Sequence, residues 1–273
     1  MTLDKVSAVS TGFAPWVKHL PGPDGVRLPG SSSGRHPARI VAGRGACRGA
    51  TVVFPHAGAT AASYRRLATA LAAGGDTFIV QYPRRAERLS EPAAETVRDL
   101  VYDLFGAGPW HQVAPLRLFG HSMGAVVAFE FARIAEQRGV TVQKLWVSAG
   151  PAPSTVAGLP ELPTSDEELL ADLVDLGGTD PRLLADEEFA GLLTNAARCD
   201  YQAFNSYRCG ATVRIRADIH AVGGRHDRRV DAHSLRRWAN HTRGTFTLSF
   251  FDGGHFYVNE HIDVLANRVI TDG

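Results

Sequence analysis

The sequence predicts an α/β fold: a mostly parallel sheet flanked by helices, with a helical lid insertion. Three observations predict it. Short apolar runs alternate with longer stretches of helical period from about residue 50 to residue 150. Strand-like sequence then stops between 151 and 210 and resumes near 217. Finally, a glycine-flanked serine at 120–124 stands where an apolar run gives way to a helical one. Parallel strands require right-handed crossovers, which place helices on both faces of the sheet.

The elements follow in order. Residues 1–48 read as an N-terminal extension, partly disordered or loosely packed, because Gly, Pro and Ser crowd it. Early strands are expected near 16–20 and 38–41. The β-branched run 50–54 ends at Pro55 and is the first firm strand. A helix is predicted over 61–73, where Tyr64, Leu67, Ala68 and Leu71 recur at helical spacing and Gly74-Gly75 stops the chain. A buried strand follows at 77–81. The next helix, 92–105, carries Val97, Leu100, Val101 and Leu104 on one face. Strands at 116–119 and 144–148 bracket a helix at 123–137. The insertion at about 151–210 holds helices near 166–176, 186–195 and 200–207. Strands at 217–222 and 245–251, a helix near 232–239 and a last helix at 258–271 complete a domain spanning 49–273.

Composition excludes several classes. The 273 residues are 44% hydrophobic and 21% charged, with a formal net charge of +1, as in an ordinary globular protein with no global pull toward nucleic acid. No apolar run approaches the ~18 residues of a membrane span. The first residues lack the basic start and apolar core of a signal peptide, so a cytoplasmic location is expected. Cys47, Cys199 and Cys209 fit no metal-ligand spacing and read as free thiols.

Chemistry enters at Gly120-His121-Ser122-Met123-Gly124, a G-x-S-x-G match. Its setting, strand then turn then helix, is what a nucleophile elbow requires, and this predicts an α/β-hydrolase fold with Ser122 as nucleophile. In that fold the acid and the histidine follow the serine in the chain. His255 lies among glycines just after the strand 245–251, and Asp227 just after 217–222. Ser122, Asp227 and His255 are therefore the expected catalytic triad. His226 is a weaker base because it adjoins Asp227. Asp218, Asp231 and Asp252 are weaker acids, lying inside a strand, at a helix start and beside the base. The backbone N–H groups of Ala57 and Met123 are the expected oxyanion donors. His56 reads as a loop-stabilising residue rather than a catalytic one.

Four segments together resemble type II thioesterases of polyketide and nonribosomal peptide synthesis. They are Phe54-Pro55-His56-Ala57-Gly58, Gln81-Tyr82-Pro83, Gly120-His121-Ser122-Met123-Gly124-Ala125 and Gly253-Gly254-His255-Phe256-Tyr257. The resemblance runs from about residue 51 to the C-terminus. It implies a stand-alone editing enzyme that hydrolyses aberrant or stalled acyl groups from the phosphopantetheine arm of a carrier protein, through an acyl-enzyme on Ser122. No cofactor or metal is implied beyond the phosphopantetheine that the substrate carries. The implied partner is an acyl or peptidyl carrier protein, with no nucleic acid or membrane, and the chain is expected to be a monomer. Arg84 and Ala59 stand where the family usually has glycine, and the stretch before Thr51 is longer than usual.

Charge is segregated along the chain. Residues 159–200 hold eleven Asp and Glu against two Arg, and residues 208–243 hold nine Arg against three Asp. Arg65, Arg66, Arg84, Arg85 and Arg88 form an earlier cluster. Both basic stretches read either as scattered surface arginines neutralised by the acidic lid helices or as a flank of the entrance that steers an acidic partner. Three alternatives share the motifs: a carboxylesterase or lipase acting on oxygen esters, a product-releasing thioesterase, and a non-catalytic scaffold of the same fold.

Overall fold

A computed structural model describes residues 13, 15–23, 49–178 and 182–272. The expected strand near 38–41, the expected disorder at the extreme N-terminus and Cys47 lie outside the described residues. Among the described residues the strands are β1 Val17–Leu20, β2 Ala50–Phe54, β3 Asp76–Val80, β4 Leu116–His121, β5 Val142–Ser148, β6 Asp218–Gly224 and β7 Phe246–Phe251. They form one sheet in the order β1-β3-β2-β4-β5-β6-β7. Only the β1–β3 pairing is antiparallel. This is the α/β-hydrolase architecture.

Both faces of the sheet are covered, which is why the fully buried central strands β2 and β3 read as nearly continuous apolar runs rather than alternating ones. Alternate residues still go to opposite sides. Val53, Ile79, Phe119 and Trp146 pack beneath α1 (Arg65–Leu71) and, near the C-terminus, the helix Ile262–Thr271. Val52, Phe54, Phe78, Leu118 and Leu145 pack on the opposite face with α2 (Val97–Gly106) and α3 (Met123–Gln137). Helix α3 is buried over most of its circumference because it lies between sheet and neighbouring helices.

Several boundaries differ from the expectation; the predicted helix 61–73, for one, is α1 flanked by 3-10 turns at Ala61–Tyr64 and Ala72–Gly74. Helix α2 begins at Val97, not at 92, because the Thr96 hydroxyl accepts the Asp99 N–H and caps the helix there. The lid holds α4 (Asp166–Asp175) and a single long helix α5 (Glu187–Asn205) in place of two short ones. Asp186 caps α5, and buried Ala196, Ala197, Tyr201 and Phe204 carry its apolar stripe across the expected break. The chain continues through α6 (Ala232–Arg236) and closes with α7, the helix Ile262–Thr271, preceded by a separate 3-10 turn at Tyr257–Asn259. No helix among the described residues is long and apolar enough to cross a membrane.

Candidate active site

The site is assembled at the carboxyl ends of β2, β4, β6 and β7, where open α/β sheets bind ligands. Strand β4 ends at His121 and α3 starts at Met123, leaving Ser122 alone in the turn with φ 56° and ψ −123°. Such a backbone costs about 1–3 kcal/mol and persists only where its surroundings enforce it. The flanking glycines are steric necessities. A Cβ at Gly120 would collide with the backbone of Gly124 and Ala125, and one at Gly124 with the carbonyl of Phe54. The Ser122 N–H donates to Ser148 O at 2.8 Å, tying the turn to β5.

The loops after β6 and β7 deliver the other two groups. His255 Nδ1 donates to Asp227 Oδ2 at 2.9 Å, and the Ser122 hydroxyl lies 3.0 Å from His255 Nε2. A carboxylate only accepts, so the Nδ1–H tautomer leaves Nε2 with a lone pair facing the serine. The Asp227 side chain is fully buried, and its other oxygen accepts the N–H groups of Arg229 and Val230 at 2.8 and 3.2 Å. The rival residues are employed elsewhere. Asp231 caps α6, Asp218 Oδ1 accepts from Thr245 N–H at the opposite end of β6, and Asp252 pairs with Arg225 on the surface. His226 is exposed, with its backbone N–H bonded to Gly253.

Ser122 and His255 line a cavity of about 470 Å³ together with Ala57 and Met123. Lid residues Leu173, Leu176, Tyr201 and Phe204 form its far wall. This is a mainly apolar chamber of the size that holds a small organic group, with Ser122, His255, Ala57 and Met123 in its lining. An ion pair ties α4 to the loop that carries Asp227: Arg229 pairs with Asp172, and Tyr201 donates to the same carboxylate at 2.7 Å.

His56 stands in the wall of the cavity. Its Nδ1 lies 2.7 Å from the Tyr64 hydroxyl and its ring meets Phe256 edge-on at 4.7 Å. His121, the variable residue of the elbow, was not singled out by sequence reasoning. It is fully buried, with Nδ1 2.8 Å from Ser148 Oγ, which in turn lies 2.6 Å from the Tyr257 hydroxyl.

Burial holds these imidazoles neutral. Loss of solvent lowers His56 to about 3, helped by the charges of His255 and Arg85. His121 is pushed well below its usual value by the same cause, His220 to about 4, and His241 downward as well. In the unfolded chain each returns to about 6.5. Between about pH 6.5 and 4 the unfolded state therefore binds more protons than the folded one. Stability is complete above pH 6.5 and is lost as the pH falls. Each such histidine contributes a slope of up to about 1.4 kcal/mol per pH unit inside that window. Urea unfolding at pH 7.5, 6.5 and 5.5 is expected to show a falling midpoint; a midpoint constant over that range contradicts neutral burial of these rings.

One expectation requires correction. Arg85 and Arg88 do not belong to an exposed docking surface. Arg85 is 4% exposed and makes a two-pronged pair with Asp200 of α5, Nη1 to Oδ2 at 2.8 Å and Nη2 to Oδ1 at 2.7 Å. Arg88 is 2% exposed, stacks 3.6 Å over the Trp16 ring and pairs with Glu91. Reversing the charge at Arg85 would leave Asp200 buried beside a like charge, so it cannot test docking; breaking such a pair typically costs about 3–5 kcal/mol. Arg84 remains at the surface side of this loop, with φ 68°, the left-handed backbone that favours glycine.

Comparison with known proteins places the site in context. The family model "Thioesterase domain" matches residues 51–272. The chain is 54% identical, over 95% of its length, to phenyloxazoline synthase MbtB of Mycobacterium tuberculosis, and it spans only 17% of that much longer protein. It is 37% identical to thioesterase PikA5 of Streptomyces venezuelae, covering 80% of this chain and 78% of that one. Among solved structures it is similar to the type II thioesterase BorB from the borrelidin biosynthetic cluster. That match has a TM-score of 0.74 and 37% identity, and covers 95% of this chain and 97% of that one.

Proposed function

The chain belongs to the thioesterase domain family, its resemblance being to the type II enzymes of polyketide and nonribosomal peptide pathways, and on that premise we propose that it edits carrier proteins by hydrolysing their acyl thioesters. The observation that carries this reading is the convergence of Ser122, His255 and Asp227 on a lidded, mainly apolar cavity.

Ser122 Oγ attacks the thioester carbonyl while His255 Nε2 takes the hydroxyl proton. The carbonyl oxygen becomes an oxyanion held by the N–H groups of Ala57 and Met123. Collapse breaks the carbon–sulfur bond, and the imidazolium returns its proton to the departing pantetheine thiol. An acyl-Ser122 ester remains. Water then gives a proton to His255 and attacks that ester, and a second collapse frees the carboxylic acid and restores the serine. Asp227 holds the imidazole in the tautomer this requires and stabilises the imidazolium. These steps use no metal or redox cofactor. The partner is an acyl or peptidyl carrier protein, and the chain acts as a monomer in the cytoplasm.

A second reading has its own support. The 54% identity is to part of a synthase, which favours a domain that releases one finished product. A panel of carrier proteins loaded with short, branched, aryl and extended peptidyl groups separates the two. Editing predicts turnover of many short and mismatched groups with little preference. Turnover confined to one extended acyl chain contradicts editing and supports release. A matched oxygen ester hydrolysed faster than the thioester contradicts both.

A further inference from the structure

Asp200 and Arg85 have no place in the steps above, yet they form a buried ion pair next to the loop that supplies the Ala57 amide. We propose that they are positioning residues, holding the Ala57 N–H where an oxyanion forms and joining lid helix α5 to the reaction centre. This rests on the reading of Ser122 as the nucleophile.

The loop between β2 and α1 is gripped from several sides. Pro55 O accepts the Tyr82 hydroxyl at 3.1 Å, and the Ala61 N–H donates to Gln81 Oε1 at 2.9 Å. Between them the Gly58 N–H donates to Asp200 Oδ2 at 2.8 Å, and Ala59 O accepts from Arg85 Nη1 at 3.1 Å. Arg85 Nε is fixed in turn on Pro83 O at 3.0 Å. Asp200 is thus shared: one oxygen takes both Gly58 N–H and a guanidinium prong, the other takes the second prong.

Ala57 sits between two pinned peptide planes. On one side, His56 O accepts the Ala59 N–H at 3.2 Å. In a trans peptide the carbonyl and the following N–H point oppositely, so the Ala57 N–H faces away from that turn. On the other side, the Ala57–Gly58 plane is held by Asp200. Gly58 has φ +78° and no side chain to resist rotation, so without an acceptor this plane is free to turn. The carboxylate that prevents it comes from a helix 142 residues away in the chain. Lifting that part of α5 therefore means separating Asp200 from Arg85, a buried pair, and releasing the oxyanion loop at the same time.

The test is the double variant Arg85→Met/Asp200→Leu, which removes both charges without leaving either unpaired. Its partner is Arg85→Met/Asp200→Asn, which removes the charges but keeps a carboxamide oxygen for the Gly58 N–H. Hydrolysis of a small acyl thioester, fluorophosphonate labelling of Ser122, thermal melting and amide exchange over residues 55–60 are measured for each. Loss of a positioned donor predicts kcat about 10- to 100-fold lower in R85M/D200L. KM is expected near the parent's, with faster exchange confined to 55–60. R85M/D200N recovers most of kcat. A merely structural role would lower melting and speed exchange throughout without this recovery, and would overturn the proposal. So would a parent-like kcat in R85M/D200L. If that variant does not fold, Arg85→Gln/Asp200→Leu carries the same test, because it keeps a side-chain amide for Ala59 O but no acceptor for the Gly58 N–H; it should show the same kcat loss and local exchange, and parent-like values there overturn the proposal. A parent enzyme that hydrolyses but never labels at Ser122 defeats the underlying function instead, which the unchanged exchange readout tells apart.

Discussion

Ser122→Ala is expected to lower acyl-thioester turnover by about 10⁴-fold or more while leaving the fold intact. The reason is local. The hydroxyl is the atom within 3.0 Å of His255 Nε2, and alanine supplies neither a nucleophile nor a proton for the imidazole to take. The strained turn survives, because its geometry is imposed by the packing of Gly120 and Gly124 and by the bond from residue 122 N–H to Ser148 O. What remains in the variant is the chamber and the two amides, which still bind substrate and polarise its carbonyl toward water. Steady-state hydrolysis of an acylated carrier, with circular dichroism as a control for folding, measures the effect. A variant that turns over within tenfold of the parent contradicts serine catalysis.

Asp227→Asn is expected to cost about 10⁴-fold with little change in shape. A carboxamide can still accept the Arg229 and Val230 N–H groups through its oxygen. Its NH₂ then faces His255 Nδ1, where the carboxylate oxygen stood at 2.9 Å. Two donors cannot share that bond, so the imidazole gives up the Nδ1 proton and carries it on Nε2. In that tautomer it cannot accept the serine proton. Unlike Ser122→Ala, this variant keeps its nucleophile, so slow labelling by a fluorophosphonate persists. Parent-like turnover in Asp227→Asn would assign the acid role to another residue.

The sheet was legible because its strands are buried on both faces. Runs such as 50–54 and 116–119 are buried throughout and mostly apolar, with Thr51 and Arg117 the polar exceptions, and so they stand out. The elbow was legible because backbone crowding at Gly120 and Gly124 excludes any side chain, which writes the requirement directly into the sequence. Asp227 and His255 were singled out by their places after successive strands, and the structure brings both to Ser122. The Asp200–Arg85 pair was not legible for the opposite reason. Nothing local distinguishes a buried arginine from an exposed one, and its partner lies 115 residues away. An aspartate in an acidic lid and an arginine in a basic cluster both read as solvated charge. The continuity of α5 was missed although Ala196, Ala197 and Arg198 favour helix, and buried Ala196 and Ala197 carry the apolar stripe across the expected break. His121 was overlooked because the motif leaves its position open; only the fold reveals its contact with Ser148.

Rapid quenching of the enzyme with an acylated carrier protein, followed by peptide mass analysis, tests the central claim most directly. The account predicts an acyl ester on the peptide containing Ser122, forming before free acid accumulates and decaying as the acid appears. Hydrolysis that proceeds with the acyl group found on another residue, or with no adduct even when the second step is slowed, would contradict it.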